Sequence, residues 1–228
     1  MTTGPDDAPA IRFELRRGAI TALPLAVAVG LFGVSFGVLS VTTGGMGALP
    51  AIVMSATAFA GSAQFAAASI LAGGGQPIAA VAAALLLNAR YLPIGISVAG
   101  VLGGGPLRRF LKAQLVVDES WAIAARGSGE FVAGRLLGAG VVLWLSWVGG
   151  TIIGVFGGEA LGDPAALGLD AAFPALFLAL LVSQLTGHRA APAALLGAAI
   201  AIVLTPVTPP GVPIIAASAA ALVGLVDR

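Results

Sequence analysis

Long apolar runs separated by turns rich in glycine and proline organise the chain, and each run is a candidate membrane-crossing helix. The first extends from Gly18 to Thr42, the second from Pro50 to Ala72, and the third from Pro77 to Val101. Further runs cover Phe131 to Gly157 and Gly168 to Gly187, and two shorter ones, Ala190 to Thr205 and Gly211 to Val226, flank the Pro206-Val207-Thr208-Pro209-Pro210 turn. A helix needs about 20 apolar residues to span the hydrocarbon of a bilayer, and each short run supplies only ~24 Å against ~30 Å. The short runs therefore read as thin crossings or as a re-entrant hairpin. The expected architecture is all-α: a polytopic integral membrane helix bundle of about seven spans (six to eight), some broken or re-entrant.

Polar residues inside these runs mark the expected site. Phe59, Gly61, Ser62, Gln64 and Phe65 sit halfway along the second run. An unpartnered carboxamide in hydrocarbon costs roughly 1 to 3 kcal/mol by protein mutational data, so Gln64 must find a partner. On a regular helix Ser62 and Gln64 lie on different faces, and they address one ligand only if the helix unwinds near Gly61. The alternative is an intact helix that uses both polar faces for packing.

The third run carries Asn88, Arg90 and Pro93 near its midpoint. Pro93 cannot donate to the Ala89 carbonyl, so a kink or opening is expected beside Asn88 and Arg90. Placing a guanidinium at that depth costs roughly 2.5 to 3.5 kcal/mol, so Arg90 should face the interior toward an anionic partner, as a functional group or as a structural ion pair. Asp118 and Glu119 are the candidate partners and, if drawn into the membrane, candidate proton carriers. Elsewhere, Gly33 and Gly37, Gly134 and Gly138, and Gly150 and Gly154 form steps that let helices approach backbone to backbone. Trp144 and Trp147 lie near the centre of their run, where they should pack in the interior or wall a cavity. A weak internal repeat relates Gly33-Val34-Ser35-Phe36-Gly37 and the later Pro50 to Gly150-Thr151-Ile152-Ile153-Gly154 and the later Pro174.

Composition agrees with the pattern. The chain is 58% hydrophobic and 9% charged with a mean hydropathy of +1.04, too few charges to coat a soluble globule, for which roughly 25% is usual. A net charge of +1 gives no reason to expect a nucleic-acid partner. Residues 1–17 read as a polar cytoplasmic segment without a cleavable-signal pattern, and residues 18–228 as a single transmembrane domain. Positive charge at Arg16 and Arg17 places the N-terminus in the cytoplasm, and the acidic loop of Glu159, Asp163 and Asp170 outside. The run from Phe131 must then also start in the cytoplasm, near Arg126 and Arg135. Parity is satisfied if Phe110 to Ala125 is a fourth crossing, the reading we favour from sequence, or if one earlier segment turns back.

Several chemistries are excluded or disfavoured. No GxxxxGKS/T loop is present, so ATP does not drive the protein directly. There is no cysteine and one histidine, His188, read as a rim residue at a helix end, so thiol chemistry, a metal cluster and a serine–histidine pair all lack their parts. No catalytic residue, metal or cofactor is expected.

Four motifs in order, FGVSFGVL (Phe32 to Leu39), FAGSAQFAA (Phe59 to Ala67), LLLNARYLPIG (Leu85 to Gly95) and VVDESWAIA (Val116 to Ala124), resemble the AzlC family of branched-chain amino acid exporters. The family's usual Asn-Leu-Arg-His reads Asn88-Ala89-Arg90-Tyr91 here, and its usual Thr-Asp-Glu has Val117 in first place. The resemblance implies the large subunit of an exporter of valine, leucine, isoleucine or similar amino acids in a prokaryotic plasma membrane, with a small AzlD-type membrane subunit as partner and the proton gradient as driving force. The expected substrate site comprises Phe59, Gly61, Ser62, Phe65 and Trp144 with Gln64, Asn88 and Arg90, and Arg90 with Asp118 and Glu119 forms the expected coupling group. A channel or carrier for another small solute, and a non-transporting subunit, are the rival readings.

Overall fold

The computed structural model describes residues 8–42, 44–127, 129–158, 178, 181, 182, 185 and 189–225. The expected run from Gly168 to Gly187, apart from Leu178, Leu181, Val182 and Leu185, lies outside the described residues, as do the acidic loop and His188. The elements are α1 (Ala8–Thr42), α2 (Ala48–Ala58), α3 (Gly61–Ala72), α4 (Pro77–Asn88), α5 (Tyr91–Val98), α6 (Pro106–Ala113) and α7 (Asp118–Ala124). There follow a hairpin of β1 (Ala125–Gly127) and β2 (Glu130–Phe131), then α8 (Ala133–Gly157), α9 (Ala190–Leu204), α10 (Val212–Ser218) and a 3-10 turn (Ala219–Leu225). The polar N-terminal segment is continuous with the first span, because α1 already begins at Ala8.

Among the described residues α1 and α8 are the two helices long and apolar enough to cross a membrane, and α4 with α5, joined at a 48° bend, make a third if the bent pair is one span. α1 and α8 pack along their whole length with backbone against backbone. A Cβ on Gly18 would strike the Arg135 carbonyl, one on Gly138 the Leu15 carbonyl, one on Gly150 that of Gly30, and one on Gly154 that of Val34. Each glycine removes the side chain that would hold the helices apart. Residue numbers rise together along the seam, so the two helices run parallel and start at the same end of the bundle, here called the N-side. Glu14 pairs there with Arg135 and with Arg126. The two copies of the suspected repeat, around Gly33 and Gly150, face each other across this seam.

The remaining described elements fold around the seam as half-length helices. α2 descends from the end opposite the N-side and stops at Phe59, whose φ of 39° is the sole positive φ among described non-glycine residues. The chain then reverses. Gln64 Nε2 donates to Ser55 Oγ at 3.1 Å, a pairing nine residues apart that a continuous helix cannot make, and Met54 packs against the cluster of Ala67, Ile70, Ala80 and Ala83. α3 climbs back and packs antiparallel on α4, with Ala67 and Ile70 against Ala80 and Ala83. α4 and α5 then descend to the N-side, where Val98 and Leu102 meet Ala124 and Leu136.

α6 returns upward along α5, with Arg109 Nη2 donating to the Ala99 carbonyl at 3.1 Å and Lys112 Nζ to that of Gly103 at 2.6 Å. α7 turns down again to the N-side. The fourth crossing favoured from sequence is therefore replaced by a second hairpin with its tip at Gln114–Val117. A single crossing fails because Leu102, just before α6, and Ala124, at the end of α7, both pack with Leu136 near the start of α8. Two opposed hairpins and one bent crossing between parallel α1 and α8 satisfy the parity that the charges require. α9 and α10 form an antiparallel helical hairpin, Gly197 against Ala217, and its turn rests on the α3–α4 turn through Pro210 and Gly73.

Large apolar side chains point outward on every long element, including Val27 and Leu31 of α1, Leu85 of α4, Ile96 of α5 and Ile153 of α8. That belt suits lipid contact and would be a large liability in water.

Candidate functional site: a mid-height cavity between the hairpin tips

The hairpin tips meet near the middle of α1 and α8. Each tip is held by a polar side chain reaching back one turn. At the upper tip the Ala60 N–H donates to Gln64 Oε1 at 3.1 Å, while Gln64 Nε2 donates to Ser55, which shares a hydrogen bond of 2.8 Å with Thr151 of α8. Gln64, Ser55 and Thr151 are fully buried. At the lower tip the Val117 N–H donates to Ser120 Oγ at 2.9 Å, and Ser120 donates to the Leu115 carbonyl at 2.8 Å. The last carbonyls of α2, which a helix end leaves unpaired, are taken by Trp144 Nε1 on Ala56 at 3.0 Å and by Gln114 Nε2 on Thr57.

Between the tips lies a cavity of about 270 Å³. One wall is apolar: Leu25, Val29 and Phe32 of α1 project at helical spacing, facing Phe59, Phe65 and Trp147. Phe36, Phe65 and Trp147 pack ring on ring at 5.4 to 6.0 Å, which fixes the back of this wall. Gly61 leaves room for the indole, since a Cβ there would lie 3.1 Å from Trp147 Cη2. The other wall is charged. Arg90, at the α4–α5 bend, has Nη1 3.1 Å from Asp118 Oδ2, and its Nη2 donates to Ser62 Oγ at 3.3 Å and to Tyr91 Oη at 3.4 Å. Its guanidinium also lies 5.2 Å from the Tyr91 ring centre. Glu119 completes the wall. The break that exposes this chemistry has a cost of about 1 to 3 kcal/mol at Phe59 alone, which the buried Gln64–Ser55–Thr151 chain offsets.

Of the residues expected at the site, Phe59, Gly61, Ser62, Phe65, Arg90, Asp118 and Glu119 line the cavity. Gln64, Asn88 and Trp144 do not: Gln64 and Trp144 hold the broken helix in shape, and the buried Asn88 Oδ1 has no partner among described residues. Tyr91 and Val117 line the cavity without being expected there, and of the two tryptophans expected in the interior or at a cavity wall it is Trp147 that lines it. Helical phase was the available signal for Trp147, which lies one turn before Gly150 and Thr151 on the face turned to α1.

The AzlC protein family model matches residues 24–161, more than half of the chain and the whole of this site. The chain belongs to the AzlC family. It is 29% identical over 216 residues to an uncharacterized membrane protein of Archaeoglobus fulgidus, covering 90% of this chain and 91% of that one. It is 27% identical over 202 residues to the inner membrane protein YgaZ of Escherichia coli, 82% of this chain and 80% of the other. Against the branched-chain amino acid transport protein AzlC of Bacillus subtilis it is 30% identical over 166 residues, 71% of this chain and 64% of the other. No solved structure matches it. This AzlC-family chain is a multi-pass membrane protein, and the family's matched region begins at Pro24, inside the α1 segment that walls the cavity.

Proposed function

We propose that the chain is the large subunit of a secondary exporter of small apolar amino acids, valine, leucine and isoleucine with methionine, in a prokaryotic cytoplasmic membrane. The N-side faces the cytoplasm, consistent with Arg16, Arg17, Arg126 and Arg135 at that end. One observation carries the reading: a mid-height cavity with an aromatic and aliphatic wall opposite one guanidinium and two carboxylates. A zwitterion with an aliphatic side chain is complementary to that arrangement. At about 270 Å³ the space falls just under the 300–1,000 Å³ usual for ligand sites and favours a small solute. The name of the Bacillus subtilis relative supports branched-chain amino acids as the class.

In this mechanism the substrate carboxylate meets Arg90 and the first backbone amides of α3 at Gly61 and Ser62, where the helix end adds partial positive charge. The ammonium meets Asp118 or Glu119, and the side chain lies against Phe59, Phe65 and Trp147. Substrate carboxylate and Asp118 then compete for one guanidinium, so binding loosens the tie between the α4–α5 bend and the lower tip. Asp118 and Glu119 are the candidates to carry the coupling proton. A small AzlD-type subunit is the partner. The test is efflux of labelled leucine from proteoliposomes holding this chain with that subunit, with and without a pH gradient. Gradient-driven efflux that is lost in Arg90→Ala supports the reading, and absence of flux for every aliphatic amino acid overturns it.

A further inference from the structure

A second cavity, about 430 Å³, lies between α5 and α6 on the N-side of the first. Tyr91 lines both, and the neighbours Val116 and Val117 face the second and the first respectively. The two spaces are therefore stacked along α5, divided by one aromatic ring and one step of backbone. Below Tyr91 the walls are Gly95 of α5 with Ala99 and Leu102 just past its end, facing Phe110 and Ala113 of α6, and Arg109 is the one charged residue among the described lining. The space beside Gly95 is open, since a Cβ there would have nothing within 4 Å.

Resting on the transport reading above, we propose that this N-side vestibule is a second station for the same small apolar amino acid, with Tyr91 as the partition it passes. The chemistry is a reduced copy of the first cavity: apolar walls for an aliphatic side chain and a guanidinium for a carboxylate. One donor of Arg109 is held by the Ala99 carbonyl, which fixes the fork while leaving others for a ligand. Among the described residues no carboxylate lines the vestibule, so its described walls hold the ammonium less firmly than the first cavity does. A weaker hold than in the first cavity suits a place that substrate passes through. The wall built by α6 belongs to the hairpin whose tip Arg90 holds through Asp118, so loosening that ion pair and opening the partition involve the same element.

The test compares Gly95→Trp and Ala113→Trp, which plug the vestibule from opposite walls, with the unaltered chain, each with its small subunit. Leucine binding in detergent and leucine efflux from proteoliposomes are measured separately. The expected result is binding within about twofold of the unaltered chain and efflux reduced at least tenfold. Normal efflux in either variant overturns the proposal, as does loss of binding in both, because a plug below Tyr91 leaves the first cavity intact. A second measurement needs no bulky group: Gly95→Cys creates the chain's sole cysteine. Leucine should slow its reaction with a small methanethiosulfonate several-fold, and an unchanged rate counts against the station. Failure here while the unaltered chain binds and exports leucine removes only the vestibule; if the unaltered chain binds no aliphatic amino acid, the transport reading falls as well.

Discussion

The guanidinium of Arg90 lies 3.1 Å from the carboxylate of Asp118 and reaches Ser62 with its second amino group, so one side chain at the α4–α5 bend holds both hairpin tips. Both partners of the ion pair are about 40% exposed, at 38% and 41%, so its contribution to stability is small compared with that of a fully buried pair. Function should be more sensitive than folding. Arg90→Ala and Asp118→Asn are each expected to cut leucine efflux at least tenfold while the melting temperature in detergent moves little. Equal losses of folded yield and efflux would make the pair structural.

The polar chain at the upper tip is expected to behave in the opposite way. Gln64→Leu leaves the Ala60 N–H without its partner and takes one of the two hydrogen bonds of Ser55, which keeps only Thr151, in a fully buried setting. Such a loss costs about 1 to 3 kcal/mol. A fall of several degrees in melting temperature should result, and a double-mutant cycle of Ser55→Ala with Thr151→Val should show coupling. Leucine affinity measured on the surviving folded fraction should be close to that of the unaltered chain, because Gln64 does not line the cavity.

These two residues show what a sequence reveals and what it conceals. A charge in the middle of an apolar run demands a partner, and few acids are within reach, so Arg90 with Asp118 was legible. A carboxamide at the same depth is equally well satisfied by a ligand or by a broken backbone, and Gln64 is used for the backbone. The phase conflict between Ser62 and Gln64 raised unwinding beside Gly61 as one of two readings, and the break at Phe59 decides between them. The reversal of direction was not legible, since two half-length helices have the same hydropathy whether they cross or double back. Trp144 and Trp147 differ only in angle around α8, and the seam of Gly150 and Gly154 decides which of them reaches the cavity.

Neighbouring glycines of α8 give a sharp contrast. A Cβ on Gly150 would strike the Gly30 carbonyl, while one on Gly149 meets nothing within 4 Å. Gly150→Ala must push α1 and α8 apart, and a loss of folded yield in detergent extracts is expected. Gly149→Ala should be neutral or stabilising by up to about 1 kcal/mol, as for glycine in an open helix position. Equal tolerance of both substitutions would refute the close seam.

The opposed hairpins make a prediction about sidedness that an ordinary bundle does not. Gly47 and Gln76 flank the α2–α3 hairpin, and Gly103 and Glu130 flank the α6–α7 hairpin. As single cysteines in an otherwise cysteine-free chain, the first two should react with an impermeant maleimide from one side of the membrane and the last two from the other. A crossing by either hairpin would divide its own pair between the two sides.

Tyr91 and Val117 are the positions where the chain departs from the family's usual histidine and threonine, and both line the mid-height cavity. Val117 is also the residue before the first turn of α7, with φ −128° and ψ 170° and no side-chain cap. A threonine hydroxyl in that conformation caps the free amides of the next turn, worth about 0.5 to 2 kcal/mol. Val117→Thr should therefore raise the melting temperature, yet it puts a polar atom into the apolar part of the site. Tyr91→His removes the ring that stacks near Arg90 and shortens the partition between the two cavities. Together the substitutions are expected to narrow the preference for leucine and isoleucine over less apolar amino acids by several-fold, measured as the ratio of efflux rates from one batch of proteoliposomes. A stabilised double variant with an unchanged ratio would mean that these positions shape the fold of the lower tip and not the choice of substrate.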